Sequence, residues 1–334
     1  MTVALTMMHR VTALLLACGV WAGACGHASA DEWPSKPIRA ILPVAPGTGA
    51  DLVARLVFNQ ISIQLGQQIV IENRGGAGGT IGTAEMAHAA PDGYTLGLGA
   101  SGTLINNQVL YAKPGYDSGR DFTPIGLVAE VQNVLVVKPS SRYNSVGELL
   151  TDIRAKPAES FKYSSSGVGT SHHMAGAVLA QFLGKPLMHV PYTGAPAGLT
   201  AIVAGDVDMG LYNIPAAIGL LRGGKLKPLA VTGLMRSALL PNIPTLDESG
   251  LKGYEVTLWF GLIGPAGMPA DLLARLHGEL NRAMARPEVR ARLTDQGYTV
   301  YPTPLKSPAA FAKQIADELV KWPPIIRKTG ATAN

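Results

Sequence analysis

The sequence is poor in cysteine, in charged residues and in aromatic residues. Its two cysteines, Cys18 and Cys25, both lie within the first 30 of 334 residues, so the rest of the chain has neither a disulfide nor a thiol catalyst. Charged residues make up 15% of the chain and aromatic residues 6%, and the net charge of +5 is spread along it. Nucleic-acid binding requires a basic patch and stacking side chains, so this composition argues against it. A small anionic ligand is compatible with this composition.

Long apolar runs are also missing, apart from a short one near the start. Arg10 precedes the apolar residues 11–22, and Ala28-Ser-Ala30 offers the small residues of a cleavage site. This pattern predicts a secretory signal peptide over residues 1–30, cleaved after Ala30. The run is shorter than the ~20 apolar residues of a membrane span. We therefore expect a soluble, exported protein. A lipoprotein is the second-ranked alternative, because residues 22–25 resemble a weak lipid-attachment box.

Strand-like runs that end in glycine-rich or polar turns alternate with helix-like periodicity over the remaining residues. Such alternation predicts an α/β fold with largely parallel sheets. The predicted strands are residues 37–43, 69–71, 95–98, 134–137, 161–164, 229–232 and 261–263. Helices are predicted over residues 52–65, 146–156, 271–285 and 308–321.

The chain after the predicted signal peptide, roughly 300 residues, is long enough for two domains. A polar segment at residues 138–145, followed by a helix-like stretch, indicates the start of a second domain. A segment rich in proline and glycine at residues 240–253 indicates that the chain then returns to the first. We predict one lobe from residues 31–130 plus 255–334 and a second lobe from residues 131–254.

Three glycine-rich turns stand between a strand-like run and a helix-like one, at residues 47–49, 75–79 and 167–169. Such a turn directs free N–H groups and the positive end of a helix dipole at an anion. A dinucleotide-binding fingerprint requires a third glycine, which each segment lacks. For residues 75–79 we expect a turn with at most an indirect role. The other two turns, one in each predicted lobe, can hold a carboxylate between them, aided by the hydroxyls of Thr48 and Thr170.

Residue patterns for catalysis or for metal binding are weak. His172 and His173 are adjacent and diverge by about 100° on a helix, so they do not readily chelate one ion. Ser101 and Ser166 lack the Gly-x-Ser-x-Gly elbow of a serine hydrolase. We therefore predict no metal, no cofactor and no enzymatic activity. The alternative is an exported hydrolase or isomerase that uses His172 with Ser166 or Asp208.

An ordered series of motifs resembles the periplasmic solute-binding proteins of tripartite tricarboxylate transporters, also called the Bug family. The series includes VAPGTGAD, IENRGGAGGTIG, PDGYTLGLG, YSSSGVGTSHHMAG, VPYTGAPAGLTAIVAGDVDM and WFGLIGPAGMP, and extends from Trp33 to beyond Pro302. The resemblance implies a two-lobed, type II-like periplasmic binding fold, with two sheets flanked by helices and a ligand cleft between the lobes. It also implies a periplasmic receptor that captures a small organic carboxylate and delivers it to a permease or a sensor. Nothing in the sequence requires more than a monomer.

The resemblance further implies the residues of the site. The first turn matches the family at Pro46, Gly47 and Asp51, although Thr48 replaces the family's second glycine. The facing turn matches at Gly167, Gly169, Thr170 and His173, which leaves His172 as the candidate for ligand selectivity. The predicted ligand-binding residues are Gly47, Thr48, Gly49, Ala50, Asp51, Ser101, Thr103, Gly167, Gly169, Thr170, Ser171, His172, Tyr192, Asp208 and Asn213.

Overall fold

The computed structural model describes residues 33–328 together with Gly330, Thr332 and Ala333. The predicted signal peptide and both cysteines lie outside the described residues. Residues 36–334 cluster as one unit, and the ten strands described within it belong to one sheet with helices packed against it. None of the helices in this described part of the chain is long and apolar enough to cross a membrane.

The first three strands form parallel pairs connected by helices. Strand β1 (Ile38–Leu42) lies between β2 (Ile69–Asn73) and β3 (Thr95–Ala100) and is parallel to both. Helix α1 (Gly49–Leu65) connects β1 to β2, and helix α2 (Thr80–Ala87) connects β2 to β3. Strand β1 is almost entirely buried, as expected of a parallel strand that is covered on both faces. These units confirm the predicted α/β fold.

Strand β4 (Phe122–Val137) pairs with different strands along its length. Its first part, through Gln132, is antiparallel to β9 (Thr257–Pro265), which is also antiparallel to β3. Its second part, from Asn133 onward, is antiparallel to β7 (Met209–Asn213). The two predicted sheets are therefore continuous through β4, in the order β2-β1-β3-β9-β4-β7-β5-β6.

The other side of the sheet repeats the parallel arrangement. Strand β5 (Lys162–Ser165) is parallel to β6 (Met188–Pro191) and to β7. Strand β8 (Lys227–Val231) and strand β10 (Tyr298–Val300) are antiparallel to β4. The expectation of largely parallel sheets thus holds for the outer strands only, because β4 and β9 carry the chain between the two halves of the sheet.

The remaining helices follow the order of the chain. A π-helical segment, Gly102–Asn106, leads into the short helix α3. The helices are α3 (Asn107–Leu110), α4 (Val146–Ala155), α5 (Ser171–Leu183), α6 (Ala195–Ala204), α7 (Ile214–Arg222), α8 (Ala270–Ala285), α9 (Pro287–Asp295) and α10 (Pro308–Lys328).

The core is built on both faces of β4. Leu135 and Val137 belong to one cluster of buried apolar side chains, and Val134 and Val136 belong to another. This alternation follows from the two-residue period of a strand. Strand β4 therefore contributes side chains to both core clusters.

The predicted lobe boundaries fall close to the two places where the chain passes between the halves of the sheet. The pairing of β4 changes at Gln132 and Asn133, and β9 begins at Thr257. The contacts within residues 36–334 join both halves into one unit, so the division into two lobes stays a prediction.

Candidate ligand-binding site

The turn after β1 presents the N-terminus of helix α1. Thr48 is the N-cap residue: its hydroxyl accepts a hydrogen bond from Asp51 N at 3.4 Å and donates one to Ala45 O at 3.0 Å. The N–H groups of Gly49 and Ala50 come before the first intrahelical hydrogen bond and have no partner within the helix. Both residues line a cavity, so their N–H groups are placed for an external acceptor.

Asp51 holds this turn in place. Its carboxylate accepts hydrogen bonds from Gly47 N, Arg55 Nε and Asn73 Nδ2, each at 2.9 Å. Burial raises the pKa of this carboxyl, but the hydrogen bonds from Arg55, Asn73 and Gly47 outweigh burial and lower the pKa to about 2. Gly47 has φ +77°, a conformation that favours glycine. Asp51 and Gly47 therefore position the turn from behind and do not line the cavity.

Gly49 is required because of a close approach. A Cβ atom at this position would lie 2.2 Å from the hydroxyl of Tyr298. Tyr298 is buried and packs edge-to-face on Phe260, with 6.0 Å between ring centroids. Burial raises the pKa of its phenol to about 12, so the ring stays neutral. Strand β10 thus places the Tyr298 ring beside the first turn, and Phe260 of β9 packs against that ring.

The facing turn repeats the arrangement at the N-terminus of α5. Thr170 is the N-cap residue: its hydroxyl accepts from His173 N at 3.4 Å and donates to Gly167 O at 2.8 Å. Gly169 N donates to His173 Nδ1 at 3.1 Å, which fixes the orientation of that ring. The N–H groups of Ser171 and His172 come first in the helix and have no partner within it.

Both turns line one cleft, which has two adjoining compartments. The large compartment has a volume of about 510 Å³ and the small compartment about 410 Å³. Thr48, Gly49 and Ala50 line the large one, Ser171 and His172 line the small one, and Thr170 lines both. Among the described residues that line either compartment, none is lysine, arginine, aspartate or glutamate. The residues common to both compartments are Val44, Gly78, Gly102, Gly169, Thr170, Asn213 and Leu258.

Two further helical segments begin at the cleft. Ser101 and Gly102 open the π-helical segment before α3, and Asn213 precedes the first residue of α7. With α1 and α5, four helical segments therefore direct their N-terminal ends toward the same space. The partial positive charge of such ends favours an anion even where no cationic side chain is present.

His172 lies in a buried polar network beside the small compartment. Its Nδ1 is 2.6 Å from Ser166 Oγ, and its Nε2 is 2.9 Å from Asn213 Oδ1. Asn213 Nδ2 donates to Asn133 Oδ1 at 2.7 Å, and Asn133 Nδ2 donates to Ser171 O at 3.3 Å. Burial lowers the pKa of His172 to about 4, although the hydrogen bond with Asn213 opposes this. His172 is therefore neutral at pH 7.

The contact between Ser166 and His172 has the form of a nucleophile and its base, but the surroundings of the pair make His172 a poor general base. A pKa of about 4 makes His172 a weak base near neutral pH. The group on its other nitrogen is the amide of Asn213 and not a carboxylate. In the described part of the chain, no group of three His, Cys, Asp or Glu side chains is arranged to hold a metal ion.

Asp208 does not lie in the cleft, which corrects its prediction as a site residue. It is exposed and precedes β7, and its carboxylate accepts a hydrogen bond from Lys162 N at 2.8 Å. At a rise of about 3.3 Å per residue, β7 separates it from Asn213 by roughly 16 Å. Strand β7 begins at Met209 and ends at Asn213, so Asp208 precedes the end of the strand that is remote from the cleft.

Other predicted residues have indirect positions. Tyr192 N donates to Ser165 O at 3.0 Å, and its side chain packs on the second core cluster, so it does not line the cleft. Gly167 adopts φ +128° and supplies the carbonyl bonded by Thr170, so it shapes the turn. Thr103 does line the large compartment, although its hydroxyl already donates to Ala100 O.

The sequence interpretation missed one wall of the large compartment. Trp259 and Phe260 are neighbours on β9 and point to opposite faces: Trp259 Nε1 donates to Glu318, whereas Phe260 lines the cleft. The alternating pattern along this strand is the signal that could have separated them. Gly78, in the turn given at most an indirect role, lines both compartments. The missed lining residues of the large compartment include Val44, Leu110, Tyr111, Val131, Pro215, Ala216, Leu258 and Tyr298.

Similarity to known proteins extends over most of the chain. The model of the family described as tripartite tricarboxylate transporter family receptor matches residues 53–331. BugT of Bordetella pertussis is 32% identical over 326 residues, which cover 96% of this chain and 99% of BugT. The structure of R. palustris Rpa4515 with adipate is 30% identical with a TM-score of 0.74, covering 90% of this chain and 99% of the other. MatC (Rpa3494) from Rhodopseudomonas palustris with bound malate is 32% identical with a TM-score of 0.72, covering 88% of this chain and 100% of the other.

Proposed function

Because the chain belongs to the tripartite tricarboxylate transporter receptor family, we propose that it is a periplasmic receptor that binds a small organic carboxylate in the cleft described above. The observation that carries this proposal is the pair of capped helix N-termini, at Thr48 and Thr170, that line one cleft without a charged side chain. Structures of Rpa4515 with adipate and of MatC with bound malate support the ligand class.

The carboxylate is held by backbone groups. The N–H groups of Gly49, Ala50, Ser171 and His172 are the free donors of the two facing helices. Charge-assisted hydrogen bonds from such donors are stronger than neutral ones. The predicted site residues that line the cleft contact the ligand, whereas Asp51 keeps the first turn in the conformation that exposes its N–H groups.

The receptor releases its ligand chemically unchanged. Its relatives are binding proteins, and His172 is too weak a base to activate Ser166 efficiently. The protein delivers the ligand to permease subunits of a tripartite tricarboxylate transporter or to a sensor. It acts as a monomer after export and cleavage of residues 1–30.

Binding couples to closure of two lobes, residues 31–130 plus 255–334 and residues 131–254. The chain passes between the halves of the sheet near Gln132 and near Thr257, and these strands are the natural hinge. A ligand favours the closed state only through contacts that it makes with both sides. The turns at Thr48 and Thr170 provide those contacts.

A thermal-shift panel tests the ligand class. The protein is unfolded, dialysed and refolded to remove any bound ligand, and C3 to C8 carboxylic acids are added at matched pH and ionic strength. A ligand that binds only the folded state must raise Tm, so at least one acid raises Tm while its neutral amide does not. A panel in which no acid raises Tm contradicts the proposal, as does conversion of a bound acid detected by mass spectrometry.

A matched pair of variants tests the role of the backbone. Ser171 is the first residue of α5 and follows an N-cap residue with extended backbone, a position where proline is tolerated. Ser171→Pro removes both the N–H and the hydroxyl, whereas Ser171→Ala removes the hydroxyl alone. We expect Ser171→Pro to bind the best acid of the panel about tenfold more weakly than Ser171→Ala does, the effect of losing one charge-assisted hydrogen bond. Equal affinities of the two variants, with unchanged circular dichroism, would show that this N–H does not contact the ligand.

A further inference from the structure

One side of the large compartment is a continuous apolar surface. We call it the apolar wall and define it as Val131, Leu258, Phe260, Tyr298, Pro215 and Ala216, all of which line this compartment. Strand register explains its continuity, because Val131 pairs with Leu258 on one side and with Tyr298 on the other. Phe260 lies two residues after Leu258 on the same face of β9. The rings of Phe260 and Tyr298 meet edge-to-face.

The free N–H groups of helices α1 and α5 match a single carboxylate. A carboxylate has about four lone-pair sites, and the two helix N-termini offer four free N–H groups, from Gly49, Ala50, Ser171 and His172. A carboxylate that accepts from both turns can therefore use all four donors.

A second carboxylate would meet no cationic side chain and only the shorter helical segments that begin at Gly102 and Ile214, the second of which has Pro215, without an N–H group, in its first turn. No lysine or arginine is among the described residues that line the cleft. Arg55, the one arginine of helix α1, is already bonded to Asp51 at 2.9 Å and to Asn73 at 3.0 Å. Burial keeps His172 neutral near pH 7. Burying an ionised group without a partner is strongly unfavourable.

From this geometry we propose that the ligand is a monocarboxylate whose remaining part is an apolar, ring-sized body packed against the apolar wall. This inference rests on the proposed function, since it assumes that one carboxylate occupies the facing N-termini. It distinguishes the chain from its relatives Rpa4515 and MatC, whose structures contain the dicarboxylates adipate and malate. Aromatic rings prefer edge-to-face and offset contacts with other rings, which Phe260 and Tyr298 can supply.

Titration calorimetry on the refolded protein tests this inference with two matched pairs of acids. The first pair is 3-phenylpropanoate and 3-(4-carboxyphenyl)propanoate, and the second is hexanoate and adipate. Within each pair the acids differ chiefly in the second carboxylate. We expect the monocarboxylate to bind at least tenfold more tightly in both pairs, which corresponds to ~1.4 kcal/mol, and 3-phenylpropanoate to bind more tightly than hexanoate.

The outcomes separate the inference from the proposed function. If the dicarboxylate of each pair binds as tightly as its partner or more tightly, the monocarboxylate inference is overturned while the carboxylate receptor stands. The inference is likewise overturned, and the receptor retained, if none of these four acids binds but another acid of the C3 to C8 panel does. If no acid of either set binds, the proposed function fails together with the inference.

A gain-of-function variant gives a second, independent test. Ala216 is exposed at the start of α7 and lines the large compartment, so a longer side chain fits there without entering the core. Ala216→Arg supplies the missing cation, and Ala216→Gln supplies a long polar side chain without the charge. We expect Ala216→Arg, and not Ala216→Gln, to raise the affinity for 3-(4-carboxyphenyl)propanoate about tenfold relative to 3-phenylpropanoate. Equal effects of the two substitutions on this ratio would overturn the inference.

Discussion

Asp51 makes the most quantitative prediction, because one carboxylate organises the first turn. Its side chain is 5% exposed and accepts three hydrogen bonds, from Gly47, Arg55 and Asn73. Asp51→Asn keeps the shape of the side chain but removes the charge. It also turns an amide NH2 group, itself a donor, toward the groups that donate to the carboxylate. We expect the variant to be less stable and to bind carboxylates more weakly, since the N–H groups of Gly49 and Ala50 lose their fixed orientation.

The size of the stability loss follows from the pKa. The pKa of Asp51 is lowered from 3.8 to about 2 in the folded protein, and one pKa unit corresponds to 1.36 kcal/mol, so the carboxylate contributes roughly 2 kcal/mol at neutral pH. Because the folded-state pKa is below the unfolded-state value, the contribution is complete above the unfolded-state pKa. It is lost as pH falls through the folded-state pKa, and roughly half of it remains at pH 3.

Urea unfolding of the protein and of Asp51→Asn at pH 7 and at pH 3 measures this directly. The difference in the free energy of unfolding should be roughly 2 kcal/mol at pH 7 and about half of that at pH 3. Asp317→Asn is the matched control, because Asp317 forms the same i,i+4 type of ion pair with Lys313 but is 63% exposed. Such a surface pair is worth at most about 0.5 kcal/mol. A loss in Asp51→Asn that matches the control, or that is the same at both pH values, would refute the reasoning.

Three further predictions concern the helices around the cleft. Thr170→Val removes the cap of α5 and should lower the free energy of unfolding by about 1 kcal/mol, measured by urea titration. It should also weaken acid binding, measured by calorimetry, and an unchanged affinity would show that the ligand binds elsewhere. Gly176→Ala places a Cβ 2.1 Å from the Tyr163 ring and should cost about 1–3 kcal/mol, whereas Gly219→Ala, with nothing within 4 Å, should be neutral or stabilising; equal Tm values would contradict this. Burial lowers the pKa of His172 from 6.5 to about 4. As the pH falls, this side chain is therefore protonated in the unfolded state before it is protonated in the folded state, and the free energy of unfolding declines between pH 6.5 and pH 4. His172→Gln should make the decline of Tm with falling pH shallower. An unchanged slope of Tm against pH would contradict this role of His172.

The two turns were predictable from sequence because their determinants are local. The hydroxyl of an N-cap residue accepts a hydrogen bond from the backbone N–H group three residues later, as Thr48 does from Asp51 and Thr170 does from His173. The glycines that need a positive φ lie in the same short segments. Helix starts and glycine turns can therefore be predicted from the local sequence. The α/β fold was predicted from the alternation of helices and turns with strands.

The apolar wall was not predictable from local pattern, because strand register creates it. Val131, Leu258 and Tyr298 become neighbours only when β4, β9 and β10 pair, across more than a hundred residues of chain. Asp208 failed for a related reason: it precedes the first residue of β7, whereas Asn213, which lines the cleft, is the last residue of that strand. Sequence spacing indicates which residues share an element, and pairing decides which of them meet.

We propose that backbone N–H groups of two facing helices hold the ligand's carboxylate. A crystal structure of the refolded protein with the tightest-binding acid of the panel tests it most directly. We expect carboxylate oxygens within about 3.2 Å of backbone nitrogens from both turns, those of Gly49 or Ala50 and of Ser171 or His172, with the apolar body on Phe260 and Tyr298. A carboxylate bound instead to a lysine or arginine side chain outside the cleft would contradict the claim.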